Sequence, residues 1–123
     1  MNASTAFKSY GGRQVSRIGV IIFRGNIVPV YISLINYTDQ GLRNIKKSAN
    51  RADGARQLAE ELGGKIERFY LTMGNYDIVA ITDFPDDATA ATFVLRIGAL
   101  GNVKATTLKA FQEDAFRMIV DAV

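Results

Sequence analysis

Tyr76 and Asp77 stand side by side after the pair Gly74-Asn75, a phenol and a carboxylate next to a chain reversal. At the mouth of a protected space they could orient a small ligand, with Asp77 as base and Tyr76 handling the same proton. They could equally be structural: Gly-Asn makes the turn, Asp77 satisfies nearby backbone donors, and Tyr76 packs in an interface. Tyr31, Ser33, Arg68, Tyr70 and Thr72 complete the candidate ligand-binding set, with Arg68 as the group that would hold an anion. Composition limits what these residues can do. The 123 residues include no histidine, cysteine or tryptophan. That excludes a Ser-His-Asp or Cys-His nucleophile, a thiolate, a zinc site of the usual kind and a haem held by His or Cys. Carboxylates, lysines, tyrosines, hydroxyls and backbone amides remain, a set that binds small molecules well and supplies general bases poorly.

Three further groups carry polar chemistry. Arg43, Lys46, Lys47 and Arg51 fall on one arc of a helix, either a site for phosphate or an acidic partner or a solvated face. Ser33, Asn36, Thr72, Thr106 and Thr107 could hydrogen-bond a ligand between two sheets or pair across strands. Asp86-Asp87 reads as a helix N-cap rather than a metal site, because adjacent carboxylates point apart and no third ligand is spaced to join them. No metal and no cofactor is expected. No GxxxxGK loop is present. The third strand lacks an RNA-recognition signature, and Asp77 and Asp83 would repel a phosphate backbone, so no nucleic-acid partner is expected. The net charge of +3 does not alter this. Residues 1–28 hold four basic groups and no acid, while the rest holds 11 basic and 12 acidic groups.

The elements that must position these residues follow from pattern. With 48% hydrophobic and 22% charged residues the chain suits one compact domain. No apolar run approaches the ~20 residues of a membrane span, so no membrane partner is expected. The absence of cysteine fits a reducing, cytoplasmic setting. The first stretch, residues 1–17, is polar and without helical or strand period, and residues 18–23 could form an extra edge strand. Residues 28–38 are β-branched and aromatic and predict a strand. Thr38 or Asp39 caps a helix with Leu42, Ile45, Ala49, Ala52, Ala55, Leu58, Ala59 and Leu62 on one stripe, broken or kinked near Ser48 and Asn50 and stopped by Gly63-Gly64. Residues 65–73 and 76–84 predict two strands joined through a Gly74-Asn75 hairpin. Pro85-Asp86-Asp87 opens a second helix with Ala88, Ala91, Val94, Leu95 and Gly98 on one stripe. Residues 102–111 form a fourth strand and residues 112–123 a short helix. The order is βαββαβ, a ferredoxin-like α+β fold with a four-stranded antiparallel sheet and helices on one face.

Period-two alternation then sorts side chains between faces. Val30, Ile32, Leu34, Phe69, Leu71, Met73, Val79 and Ile81 are expected under the helices. Tyr31, Ser33, Ile35, Tyr37, Arg68, Tyr70, Thr72, Tyr76, Ile78, Ala80 and Thr82 are expected on the opposite face. A face of that size with four tyrosines is too apolar for water, and its economical cover is a second copy packed sheet against sheet. The alternative is that the C-terminal helix or residues 18–23 fold over it within one chain.

Residues 31–48 (YISLINYTDQGLRNIKKS), Arg51-Ala52-Asp53, residues 58–81 (LAEELGGKIERFYLTMGNYDIVAI) and residues 100–111 (LGNVKATTLKAF) resemble the GYD-domain family, in that order and spacing. The Gly-Tyr-Asp signature stands as Gly74-Asn75-Tyr76-Asp77, with one residue inserted. The resemblance spans about residues 29–113. It implies a ferredoxin-like fold of the dimeric α/β-barrel type and no particular activity. The Tyr-Asp hairpin is also similar to that of the ligand-binding domains of leucine-responsive and asparagine-type regulators, which assemble through sheet faces and bind amino acids between subunits. This chain carries no DNA-binding helix-turn-helix beside it.

The reading is a homo-oligomeric module, a homodimer or larger, that binds a small molecule or a partner between subunits. The alternative is a cofactor-free enzyme of the dimeric α/β-barrel type acting on a small aromatic or carbonyl compound, with Asp77 and Tyr76 catalytic. Residues 28–123 make the domain and residues 1–27 an N-terminal extension. Family members start at a Met-Pro pair that aligns with Val28-Pro29, and valine can be encoded by the start codon GUG. The extension is therefore expected to be translated upstream sequence. Mass spectrometry of the protein from its own host is expected to yield no peptide from residues 1–24; such peptides would return the extension to the native chain.

Overall fold

The computed structural model describes residues 30–123, together with the backbone of three short strands before them. These are β1 (Phe7–Tyr10), β2 (Arg13–Ser16) and β3 (Ile21–Ile22), an antiparallel sheet in the order β1-β2-β3. The polar N-terminal stretch therefore holds strands where no period is legible. Tyr10 pairs with Arg13 at one end of the β1–β2 ladder and Phe7 with Ser16 at the other. The expected strand at 18–23 is present as Ile21–Ile22, but it pairs with β2 and not with the edge of the larger sheet. Its other residues lie outside the described ones, as does most of the 1–27 extension. The chain divides into two compact units, Pro29–Ala110 and the combination of Met1–Val28 with Phe111–Val123.

The unit Pro29–Ala110 has the expected ferredoxin-like order. Its elements are β4 (Val30–Tyr37), α1 (Asp39–Arg43), a 3-10 turn (Ile45–Lys47), α2 (Ser48–Glu61), β5 (Lys65–Leu71), β6 (Ile78–Asp83), α3 (Asp87–Ala99) and β7 (Val103–Ala110). All neighbours in the sheet β5-β6-β4-β7 run antiparallel. A bulge between Ile66 and Arg68 interrupts the β5 register, whereas β7 pairs with β4 without a break. The Thr38 hydroxyl accepts from the Gly41 amide at 3.1 Å to start α1 and donates to the Gly101 carbonyl at 2.5 Å, tying α1 to the end of α3. Gly41 is required there, since a Cβ would fall 2.1 Å from the Asn102 carbonyl oxygen. The α2 stop is a Schellman motif: Gly63, at φ 82°, donates to Glu60 and Gly64 donates to Ala59.

The expected long helix is broken, and the break lies at Asn44–Lys47, just ahead of Ser48. It rotates the first turn out of line. Leu42, Ile45 and Ala49 are therefore exposed, and the stripe toward the core begins at Ala52 and runs through Ala55, Leu58, Ala59 and Leu62. The α3 stripe also differs from expectation. Ala90, Phe93, Val94 and Ile97 face the core, while Ala88, Ala91, Leu95 and Gly98 are exposed. This helix is apolar nearly all round, so its period does not single out one face.

The main correction concerns the sheet. Tyr31, Ser33, Ile35 and Tyr37 turn toward the helices, with Ile78, Ala80 and Thr82 of β6 beside them; Val30, Ile32, Leu34, Val79 and Ile81 take the other face. Alternation decides which residues share a face, not which face meets the helices. Aromatic packing and hydroxyl partners decide that here. Tyr31 lies against Phe84 at 6.2 Å between ring centroids, and Phe84 against Phe93 at 5.0 Å. Small Ser33 and Ala80 let the helices approach. On β5 the expected sides hold for Phe69, packed on the core, and for Arg68 and Tyr70, exposed. Leu71 and Met73 do not reach the core and are 74% and 99% exposed.

In the other unit α4 (Glu113–Asp121) begins near the expected position. Its Arg117 pairs with Glu113 at 2.6 Å, Phe116, Ile119 and Val120 are exposed along one stripe, and Val123, just past the helix end, is exposed as well. For the main core, Phe93→Ala is expected to cost about 3–5 kcal/mol, read as a lower urea midpoint with circular dichroism retained below it.

Candidate functional site

The β5–β6 connection is longer than a two-residue hairpin. The Thr72 amide donates to the Asp77 carbonyl at 2.8 Å, closing a loop of Met73 to Tyr76, and the Thr72 hydroxyl donates to the Tyr76 carbonyl at 2.6 Å. Asp77 is occupied on both sides. Its amide donates to the Ile35 carbonyl and its carboxylate accepts from the Tyr37 amide, each at 2.9 Å. β4 runs past the last β6 pair, Ile35 with Ile78, and the Asp77 side chain satisfies the donor left over. This is the structural role weighed for Asp77. Tyr76 sits beside it, partly exposed.

Tyr31 and Ser33 lie elsewhere: Tyr31 lines a trough between α3 and β7, and the buried Ser33 bonds Thr107 of its lining. The Tyr31 hydroxyl donates to Asp87 at 2.5 Å, and Lys109 approaches the same carboxylate at 3.0 Å. Hydrogen bonds from Tyr31 and Lys109 hold the Asp87 carboxyl below its usual range, while burial and the Asp87 charge push the Tyr31 phenol up. Ser33 and Thr107 share a hydrogen bond at 2.9 Å. The trough has a volume of about 390 Å³, with Ala90, Val94 and Leu95 as its apolar wall. Asp86 caps α3, accepting from the Thr89 amide at 2.8 Å and its hydroxyl at 2.7 Å.

The structure thus distributes the candidate ligand set over three places. Tyr31 and Ser33 are buried under α3; Arg68 and Tyr70 lie on the face away from the helices, on the opposite edge strand; Thr72, Tyr76 and Asp77 form the hairpin. The basic arc is divided too. Arg43, Lys46 and Lys47 are exposed, while Arg51 donates to the carbonyls of Asn44 at 2.9 Å and Gly41 at 3.3 Å, closing the C-terminus of α1. Sequence reasoning missed Asp87 and Lys109 as partners of Tyr31. The available signal was that only one of two adjacent aspartates can cap a helix, which leaves the second for another donor.

The face away from the helices is aliphatic. Leu108, Ile32 and Ile81 form one row across three strands, and Thr106, Leu34 and Val79 the next, ending at Tyr70. At one end Asp83 sits beside Glu67 and across from Lys65. Burial, then hydrogen bonding to Glu67 and its charge, push the Asp83 carboxyl up to about 6. Among the described residues no helix is long and apolar enough to cross a membrane.

Comparison with known proteins adds the following. The family model described as GYD domain matches residues 31–120. A relative from Thermus thermophilus, named glutamine synthetase and cystathionine beta-lyase binding protein, is 32% identical over 84 residues, 68% of this chain and 88% of that protein. The crystal structure of MtbAldR superposes with a TM-score of 0.54 at 15% identity, over 68% of this chain and 52% of that one. This chain therefore spans about half the length of that protein, and the likeness is one of fold. A crystal structure of a Thermus thermophilus protein is 24% identical with a TM-score of 0.45, covering 68% of this chain and 94% of the other.

Two outcomes are expected. Asp77→Ala leaves the Tyr37 amide unpaired and costs about 1–3 kcal/mol in urea unfolding. The Asp83 carboxyl is raised above its ordinary value of 3.8, so the fold holds that proton more tightly than the unfolded chain does. Its contribution is full below pH 4 and is lost as pH rises to about 6. Asp83→Asn should therefore gain stability relative to the parent between those values and keep the gain above them.

Proposed function

Because the chain belongs to the GYD domain family, we propose that it is a non-catalytic binding module that works as a homo-oligomer and holds a partner protein. The carrying observation is the aliphatic sheet face. Val30, Ile32, Leu34, Val79 and Ile81 are half-buried and Leu108 is exposed, and no helix of the unit Pro29–Ala110 lies on that side. A face of this kind is covered most simply by its own copy about a twofold axis. This proposed cover is of the kind the sequence suggests, over a face whose centre is aliphatic and whose edge carries Tyr70. The polar groups of the face, Arg68, Thr106 and Asp83, lie around that centre, an arrangement that supports a protein partner better than a small molecule between the sheets.

The Thermus relative is named for binding two enzymes, and we carry that kind of partner, a folded enzyme, to this chain. A second apolar surface supports protein contacts. Phe116, Ile119, Val120 and Val123 recur at the three- and four-residue spacing by which a helix anchors in a groove. The cofactor-free enzyme is disfavoured, since its expected base, Asp77, is bonded to a backbone amide. A cytoplasmic setting belongs to the same reading.

Sedimentation velocity of the full chain is expected to give a dimer or larger species at micromolar concentration. Ile32→Lys with Ile81→Lys, placing two charges side by side on the face, is expected to give a folded monomer. A wild-type monomer would remove the homo-oligomer. Calorimetric titration with glutamine synthetase and cystathionine beta-lyase from the same host tests the partner, and no heat with either would remove that half.

A further inference from the structure

Between the sheet and the helices of the unit Pro29–Ala110 lies a second cavity, of about 90 Å³, unrelated to the trough at Asp87. Its walls are apolar: Ile35 and Ile78 from the sheet floor, Phe69 from β5, Ala52 and Ala55 from α2, and Ile97 from α3. The alanines make the space, because a larger residue at either position would fill it. A body of about four or five carbon atoms fits such a volume.

One side of the cavity is lined by donors and by no acid. Arg51 reaches it, half-buried, and among the described residues no carboxylate lies within ion-pair distance of its guanidinium. Two of its five N–H groups go to the Asn44 and Gly41 carbonyls, which fixes the group and leaves three for another acceptor. Tyr37 and Ser48 share one hydrogen bond at 2.6 Å, so the second hydroxyl hydrogen is left over. The Asn102 side chain, whose oxygen accepts from Gln40, adds amide hydrogens. The trough at Asp87 differs in this respect: there Lys109 and Asp87 neutralise each other.

We propose that this cavity binds a small carboxylic acid with a short branched apolar body. The body fills the space between Phe69, Ala55 and Ile97, and the carboxylate takes the free donors of Arg51, the Tyr37–Ser48 pair and Asn102. A held, half-desolvated guanidinium favours a planar carboxylate, which it meets with two parallel hydrogen bonds. The site does not suit a free amino acid, because its ammonium group would meet the arginine and find no acid among the lining residues. The cavity is built within one chain and is independent of whether the sheet face carries a second copy.

The test is calorimetric or ligand-observed NMR titration of the full chain with 4-methylpentanoate, its neutral amide 4-methylpentanamide, and leucine. The acid is expected to bind at least ten-fold more tightly than either the amide or leucine. Ala55→Phe, which fills the cavity, and Arg51→Gln, which removes the charge, are each expected to abolish the preference, with circular dichroism checking that both variants fold. Equal binding of acid and amide, tighter binding of leucine, or no binding of the acid at millimolar concentration would overturn the assignment. So would an unchanged affinity in folded Ala55→Phe. The comparison of acid with amide needs no variant.

Discussion

A tyrosine ring can be buried only where its hydroxyl still finds an acceptor, and in this molecule that requirement orients the sheet. The Tyr31 hydroxyl reaches Asp87 at the first position of α3, while its ring rests on Phe84. Once Tyr31 faces the helices, alternation commits Ser33, Ile35 and Tyr37 to the same side and sends Val30, Ile32 and Leu34 to the other. The remaining hydroxyls then fall into place, Ser33 with Thr107 and Tyr37 with Ser48. Among the described residues no buried side-chain polar atom lacks a partner. A polar residue set can form the better floor for helices when every donor is answered.

Much of this architecture is legible in the amino-acid order. The β-branched run before Thr38, the Gly63-Gly64 stop and the acidic cap at Asp86 each carry a local physical cause that acts before tertiary packing. The polarity of the sheet faces is not local. Nothing near Tyr31 announces that its partner lies 56 residues away. The hydrophobicity of Ile32 and Leu34 argues for the inside, and it is outweighed by aromatic stacking and small-residue packing on the side of Tyr31. Arg51 is hidden for a local reason: by spacing it belongs to a charged arc, and the break at Asn44 brings the nearby Asn44 and Gly41 carbonyls within its reach.

Period-two alternation puts the candidate ligand residues of three strands on a common face, and the inversion of β4 and β6 but not β5 separates Tyr31 and Ser33 from Arg68 and Tyr70. Asp77 does serve a backbone donor, and Thr72 ties the loop it begins. What the order of residues could not supply was convergence, which depends on which strands neighbour each other in the sheet. β5 and β7, which carry Arg68 and Lys109, stand at opposite edges. The polar groups that do converge are close in sequence and are brought together by the break between α1 and α2, Tyr37 with Ser48 and Arg51 with the end of α1.

The two borders of the four-stranded sheet are not alike. β7 is regular along its whole pairing with β4, whereas β5 is disrupted where Glu67 bulges. Growth of a sheet into a fibre needs a left and a right border that fit each other, so that each newcomer recreates the surface it joined. Here an added strand would find a template on one flank only. The bulge at Glu67 makes the β5 border the poorer template of the two, one of the devices by which sheets discourage edge-to-edge growth.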